Sequence, residues 1–157
     1  MHILDIRKQL KVLGKSLPQP PQAVGNYKTF ITTDKMAFIS GQLPLIDGRV
    51  IYKGKIGNEL NIEEGTQAAE LCALNILSQI AELQKNHIFK QLIRIEGYIN
   101  SGSTFTKHAK VLDGASDLFS SVLLKKAGHA RSVMGCSSLP LNAAIEIVAA
   151  VEIDKFS

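Results

Sequence analysis

Residues 129–153 read HARSVMGCSSLPLNAAIEIVAAVEI, and the way this stretch alternates decides the fold. In its second half Ile145, Ile147, Val151 and Ile153 fall on one side of an extended chain, and Ala144, Glu146, Val148, Ala150 and Glu152 on the other. That period of two is the signature of a strand. The first half, ARSVMGCSS, reads as the preceding strand and is broken from the last one by Leu139-Pro140. Glu146 stands mid-strand between two isoleucines, where an isolated carboxylate is costly unless it is paired or protonated.

Working upstream, LIRIEGYIN (92–100) also alternates, with Ile93, Ile95 and Ile99 on one side and Gly97 interrupting that side as a bulge or a close approach. Between it and the opening stretch, a helix over about 107–126 carries Val111, Ala115, Leu118, Phe119 and Val122 as its apolar stripe. Lys125 and Lys126 suit the end of that helix, and Gly128 its stop. An earlier helix begins with Asn61 as cap and Glu64 three residues on. Its core face is Ala69, Cys72, Ala73, Ile76, Ile80 and Leu83, and its water face Glu63, Gln67, Glu70, Ser78 and Glu82. Before it, NYKTFITT, MAFISGQLPL and RVIYKG are short β segments, the last two joined by Asp47-Gly48, the residues a type I′ hairpin turn prefers.

The order β-β-β-α-β-α-β-β predicts an α+β fold in which two helices cover one side of a mixed sheet. The other side of the sheet is also apolar or small, through Val148, Ala150, Val133 and Gly135. An apolar sheet face left to water predicts a partner, and self-association in a closed ring is the simplest one.

Residues 1–24 stand apart from this domain, which spans 25–157. Ile3, Ile6, Leu10 and Leu13 are at helical spacing with Arg7, Lys8 and Lys11 between them, and Gly14 ends the turn. Pro18, Pro20 and Pro21 then impose an extended connector. The same segment holds most of the net charge of +4, because its four cations and one acid leave only +1 for the rest of the chain. There is no Trp, and aromatics are 6%, so nothing resembles a basic stripe with stacking rings, and a nucleic-acid partner is not supported. Two unrelated cysteines and four scattered histidines match no metal-ligand spacing. No apolar run spans a membrane and no signal core opens the chain, which predicts a protein of a reducing compartment, most simply the cytoplasm.

Glu146 and Arg131 are the two residues whose chemistry is most suggestive. Arg131 follows Gly128 and Ala130, small residues that let a ligand come close, and its guanidinium can hold a carboxylate bidentately. A structural ion pair for Glu146 and a helix-capping or surface role for Arg131 are the plainer alternatives. Ser40, in Ser40-Gly41-Gln42, reads as a turn hydroxyl and Tyr27 as a core-edge aromatic. His129 is placed beside Arg131 only if the strand has already begun there. Asp113 and Asp117 form a like-charge pair four residues apart, the pattern of a solvated helix face.

GNY (25–27), ISGQLP (39–44), GKIGNEL (54–60), AAELCALNIL (68–77), DGASDLF (113–119) and residues 129–153 together resemble the reactive intermediate/imine deaminase (YjgF-like, L-PSP endoribonuclease-like) family. Leu13-Gly14 through Pro20-Pro21 is similar to the subgroup with a longer N-terminus. The resemblance implies a chorismate-mutase-like fold, a homotrimer around a central β-barrel, and three ligand clefts between subunits. It also implies hydrolysis of enamines and imines such as 2-aminoacrylate to 2-keto acids and ammonia, with no cofactor and no metal. Carried over by position, Arg131 matches the substrate-carboxylate arginine, Glu146 the acid that activates water, and Tyr27 and Ser40 pocket residues. Two positions depart from the family: Val133 stands where a cysteine is common, and Asp113 where a small amide lines the cleft. Both are candidate substrate contacts. A non-catalytic trimeric protein that binds small keto or imino acids is the alternative function, and endoribonuclease or translation-inhibitor activity a distant third.

Overall fold

A computed structural model describes residues 3–156. Strands β1 (Phe30–Thr32), β2 (Met36–Gln42), β5 (His87–Asn100), β6 (Ala130–Cys136) and β7 (Ile145–Lys155) form one sheet in the order β1-β2-β7-β5-β6. β3 (Leu45–Ile46) and β4 (Arg49–Val50) form a separate hairpin. Asp47 (φ 49°) and Gly48 (φ 77°) make its turn, both in the left-handed region that a type I′ turn demands. Every pairing in the large sheet is antiparallel except β5 with β6, so the sheet is mixed. That parallel pair needs a crossover, and helix α3 (His108–Leu123) supplies it.

Helix α2 (Ile62–Leu83) begins with the expected capping box: the Asn61 side chain accepts from the Glu64 amide, and the Glu64 carboxylate accepts from the Asn61 amide. α2 and α3 pack on each other and on one face of the sheet. Alternate β7 residues Ile145, Ile147, Ala149, Val151 and Ile153 are buried beneath them, as are all six expected core residues of α2 and all five of α3. α3 closes on Leu124 (φ 56°) and a short 3-10 turn over Leu124–Lys126, not on Gly128. Lys126 turns away from the helix end to donate to the Phe89 carbonyl.

Two expectations about faces change, and the alternative left open at Gly97 closes. Ser78 is buried, not on a water face, because the N-terminal arm lies over that side of α2. Helix α1 (Ile6–Val12), capped by Asp5, buries Ile6 and Leu10, Gln79 donates to the Pro21 carbonyl, and Gln84 donates to the Leu4 carbonyl. Gly97 is a close approach and not a bulge: a Cβ there would lie 2.8 Å from Leu112 Cδ1 of α3. The bulges in β5 fall earlier, between Phe89 and Gln91 and between Leu92 and Arg94, and they hide the strand's first five residues from any period-two reading.

The second change concerns β6. Val133 pairs with Gly97 and Gly135 with Ile99, so both face the helices, and Ser132, Met134 and Cys136 take the open face. That open face is less uniformly apolar than expected. Ile31, Phe38 and Met134 are about half exposed on it, but the part formed by β5 and β6 carries a polar cluster. Arg94 donates to Glu96 at 2.9 Å and to Ser132 at 3.1 Å, and the Tyr98 hydroxyl donates to Glu96 at 3.0 Å. The hydrogen bond from Arg94 and that from Tyr98 hold the Glu96 carboxyl below the usual carboxylate range. Among the described residues no helix is long and apolar enough to cross a membrane.

The tightest helix contact yields a test of this packing. A Cβ on Gly114 of α3 would lie 2.2 Å from the Thr66 carbonyl oxygen of α2. Gly114→Ala is expected to destabilise the fold by roughly 2–3 kcal/mol, read as a lower midpoint in thermal unfolding. Gly128→Ala, with nothing nearer than Gln91 Nε2 at 3.9 Å, is expected to leave the midpoint nearly unchanged.

Candidate functional site

Arg131 is the second residue of β6, and the parity of that strand sends its side chain toward α3. Nη2 lies 2.8 Å from Asp113 Oδ1 and donates to the Ala109 carbonyl at 3.2 Å, while Nη1 donates to Ser116 Oγ at 3.0 Å. Ala109, Asp113 and Ser116 stand on α3 at spacings of four and three, one helical face. Ser116 Oγ also lies 3.0 Å from His129 Nε2, whose other nitrogen bonds the Ala127 carbonyl. A carbonyl only accepts, so Nδ1 carries a proton. The Ser116 hydroxyl accepts from Arg131, and the guanidinium is held from behind by the His129 ring through a serine. His129 therefore acts on Arg131 through Ser116, and Asp113 is an ion-pair partner, not simply part of a solvated face. Val133, two residues on from Arg131, shares its side of the sheet and packs partly buried against the core.

Glu146 occupies the second position of β7, directly opposite Tyr98 and on the open face with it. It is half-buried and makes no hydrogen bond among the described residues. Burial pushes its carboxyl above the usual glutamate range. The reason it is so enclosed is Gly41: a Cβ there would sit 2.0 Å from Glu146 Oε1. β2 breaks register between Ile39 and Gln42, and this irregularity lets the bare backbone of Gly41 lie on the carboxylate. Ser40, next in line, donates to the Lys28 carbonyl at 2.6 Å. With Tyr27 and Phe38 it lines an open depression of about 640 Å³. The Tyr27 ring is half exposed, and its hydroxyl accepts weakly from the Val24 amide at 3.4 Å.

The candidates therefore form two groups. Arg131, Asp113 and Val133 lie on the helix side at one edge of the sheet. Glu146, Ser40 and Tyr27 lie toward the other edge, with Glu146 on the open face. β5 separates β6 from β7, and the sheet itself separates Arg131 from Glu146. A single chain does not bring the two together. A larger depression, about 740 Å³, is lined by residues 57–64 and 104–107 and contains none of these residues. Among the described residues no group of three or more His, Cys, Asp or Glu is placed to hold a metal ion.

Sequence reasoning missed Ser116 as the support of Arg131, and Gly41 as the wall of Glu146. Ser116 lies one helical turn from Asp113, which would have signalled a shared face. A glycine inside a strand pattern is itself a sign of close approach.

Compared with known proteins, residues 7–153 match the family model described as "YjgF/chorismate_mutase-like, putative endoribonuclease". The chain is 35% identical over 152 residues to Protein TCP17 of Trypanosoma cruzi, covering 96% of this chain and 95% of that one. It is 37% identical to Atu1372 of Agrobacterium tumefaciens, a protein of unknown function, with a TM-score of 0.85 over 95% of this chain and 94% of the other. A "putative endoribonuclease" of Shewanella oneidensis superposes with a TM-score of 0.89 at 29% identity, covering 94% and 98%.

The state of Glu146 has a consequence for stability. Its folded pKa is raised, so the native protein binds the proton more tightly than the unfolded chain, and this contribution to stability is lost as pH rises through the folded value. Glu146→Gln removes the loss. The variant is expected to match the wild type in thermal unfolding near pH 4 and to exceed it at pH 8. Equal shifts at both pH values would contradict the buried-carboxyl account.

Proposed function

The chain belongs to the YjgF/chorismate-mutase-like family, and from that premise we propose that it hydrolyses reactive enamine and imine intermediates, 2-aminoacrylate among them, to 2-keto acids and ammonia. The observation that carries the reading is the pair of half-sites: an arginine held with donors to spare on one side, and an unpaired, half-buried carboxyl on the other. In this proposal the protein is a homotrimer, and the Arg131 group of one copy meets the Glu146 group of the next across each interface. The exposed Ile31, Phe38 and Met134 of the open sheet face support such an assembly, since it would cover them.

The chemistry asks little more of the protein. Arg131 anchors the substrate carboxylate by two parallel hydrogen bonds, which fixes the adjacent iminium carbon in place. Glu146 accepts a proton from the water that attacks this carbon, and returns it to the nitrogen as the C–N bond breaks. A carboxyl whose pKa burial has raised is a better base for this than an ordinary glutamate. Tyr27 and Ser40 line the same side as Glu146, and Val133 and Asp113 the side of Arg131. The engagement of the guanidinium by Ser116 and the Ala109 carbonyl, which holds it in place, is what favours a second reading, in which the cleft binds small keto or imino acids without turning them over.

Two measurements test the proposal. With 2-aminoacrylate generated in situ by a dehydratase, the wild type is expected to accelerate keto-acid release. Arg131→Ala is expected to lose on the order of 100-fold, and Glu146→Gln about 100-fold or more. Unchanged rates in both variants would reject the assignment, and ligand-dependent thermal stabilisation without turnover would favour the binding protein. If sites form between copies, refolding the two variants together in equal amounts restores activity at about one quarter of the interfaces, by random assortment around a head-to-tail ring. No recovery in the mixture would reject the shared site.

A further inference from the structure

We propose that Asp113 makes this site selective for zwitterions: the Arg131–Asp113 pair takes α-imino or α-amino acids, in which a cationic nitrogen neighbours the carboxylate, and rejects the corresponding 2-keto acids. The inference rests on the reading of Arg131 as a carboxylate anchor, and it assigns the charge of the ligand that anchor accepts.

The geometry places the two charges as one recognition unit. Asp113 Oδ1 lies 2.8 Å from Arg131 Nη2, and the Asp113 side chain is 52% exposed against 27% for Arg131. The carboxylate thus sits on the solvent side of the guanidinium, where a ligand must arrive. The inner donors are already committed, Nη1 to Ser116 Oγ and Nη2 to the Ala109 carbonyl, so Arg131 cannot swing away from Asp113 without breaking both. An ion pair this exposed is weak, so a ligand shares the guanidinium with Asp113 at small cost. A ligand carboxylate that docks on Arg131 therefore arrives next to a fixed negative charge.

For a monoanion with no N–H beside its carboxylate, as in a 2-keto acid, that contact is repulsive, and it offsets much of the attraction to the guanidinium. A zwitterion meets both charges. Its carboxylate takes the guanidinium donors, and the protonated nitrogen one carbon away donates to Asp113. The pair is net neutral and complements a ligand that is net neutral.

The same asymmetry separates substrate from product in the proposed reaction. An iminium acid plus water gives a 2-keto acid and ammonium: one C=N bond is broken, one C=O bond is formed, and the nitrogen leaves with the positive charge. The organic species goes from net zero to net minus one. Asp113 stabilises the first by a hydrogen bond and repels the second, so the residue that helps select the substrate also helps expel the product.

Calorimetric titration of the full-length protein with alanine, as the stable zwitterion, and pyruvate, as the keto acid, tests this. The wild type is expected to bind alanine about tenfold more tightly than pyruvate. Asp113→Asn keeps the side chain's shape and is expected to erase that ratio, chiefly by tightening pyruvate, with an unchanged melting temperature. In the imine assay pyruvate is then expected to inhibit Asp113→Asn more strongly than the wild type. An alanine-to-pyruvate ratio that is the same in both proteins overturns the selectivity proposal, and if Arg131→Ala still abolishes binding of both ligands, the anchor survives. Binding of both ligands by Arg131→Ala at wild-type strength removes the anchor, and the selectivity proposal with it.

Discussion

The parallel pairing of β5 with β6 is the constraint on which the rest of the structure depends. Two parallel neighbours cannot be joined by a hairpin, so the chain must leave the sheet and cross over its face, and α3 is that crossover. Its return fixes the register Ile95 with Arg131 and Gly97 with Val133. From that register everything about β6 follows: which residues meet the helix, which meet the open face, and where the guanidinium of Arg131 points. The glycines at 97 and 114 serve the same constraint, since side chains there would meet Leu112 across the sheet–helix contact and the backbone of α2.

Because the crossover helix lies directly over β6, Arg131 finds its partners on α3 and not in the sheet. Ala109, Asp113 and Ser116 reach it from one helical face, and His129 completes the set by ordering the serine hydroxyl. Nothing in this group needs deep burial, and the arginine stays partly accessible. Glu146 is built by the opposite means. It has no hydrogen-bond partner among the described residues, and a bare glycine backbone pressed against its carboxyl, with the cost of desolvation, sets its protonation.

The N-terminal arm shows how a segment that reads as peripheral can belong to the core. α2 is buried over nearly its whole circumference, and Ser78, Asn75 and Gln79 are enclosed although their side of the helix reads as polar. Asn75 satisfies the Leu43 and Leu45 carbonyls, and Gln79 the Pro21 carbonyl, so these polar residues serve the connector and the hairpin. The basic residues of α1 that dominate the chain's net charge face outward, while Ile6 and Leu10 join the same core as α2 and α3.

Local chemistry made much of this legible. The capping box at Asn61, the left-handed turn at Asp47-Gly48, the apolar stripes of both long helices and the alternation of β7 each follow from a few neighbouring residues. So did the suspicion that Arg131 and Glu146 matter, because a guanidinium after small residues and a carboxylate between isoleucines are unusual whatever the fold. What the tertiary structure alone decided is parity and proximity. Alternation divides a strand into two sides but does not name them, and Val133 and Gly135 fell on the helix side only because β6 pairs in parallel with β5. Nor can one strand's pattern show that Ser116 would meet Arg131 or Gly41 meet Glu146, contacts that arise when elements far apart in the chain are laid side by side. The sequence by itself determined the elements and the chemistry they carry. Their separation onto opposite faces of one sheet was settled by strand order and register, which are properties of the assembled sheet and not of any one segment.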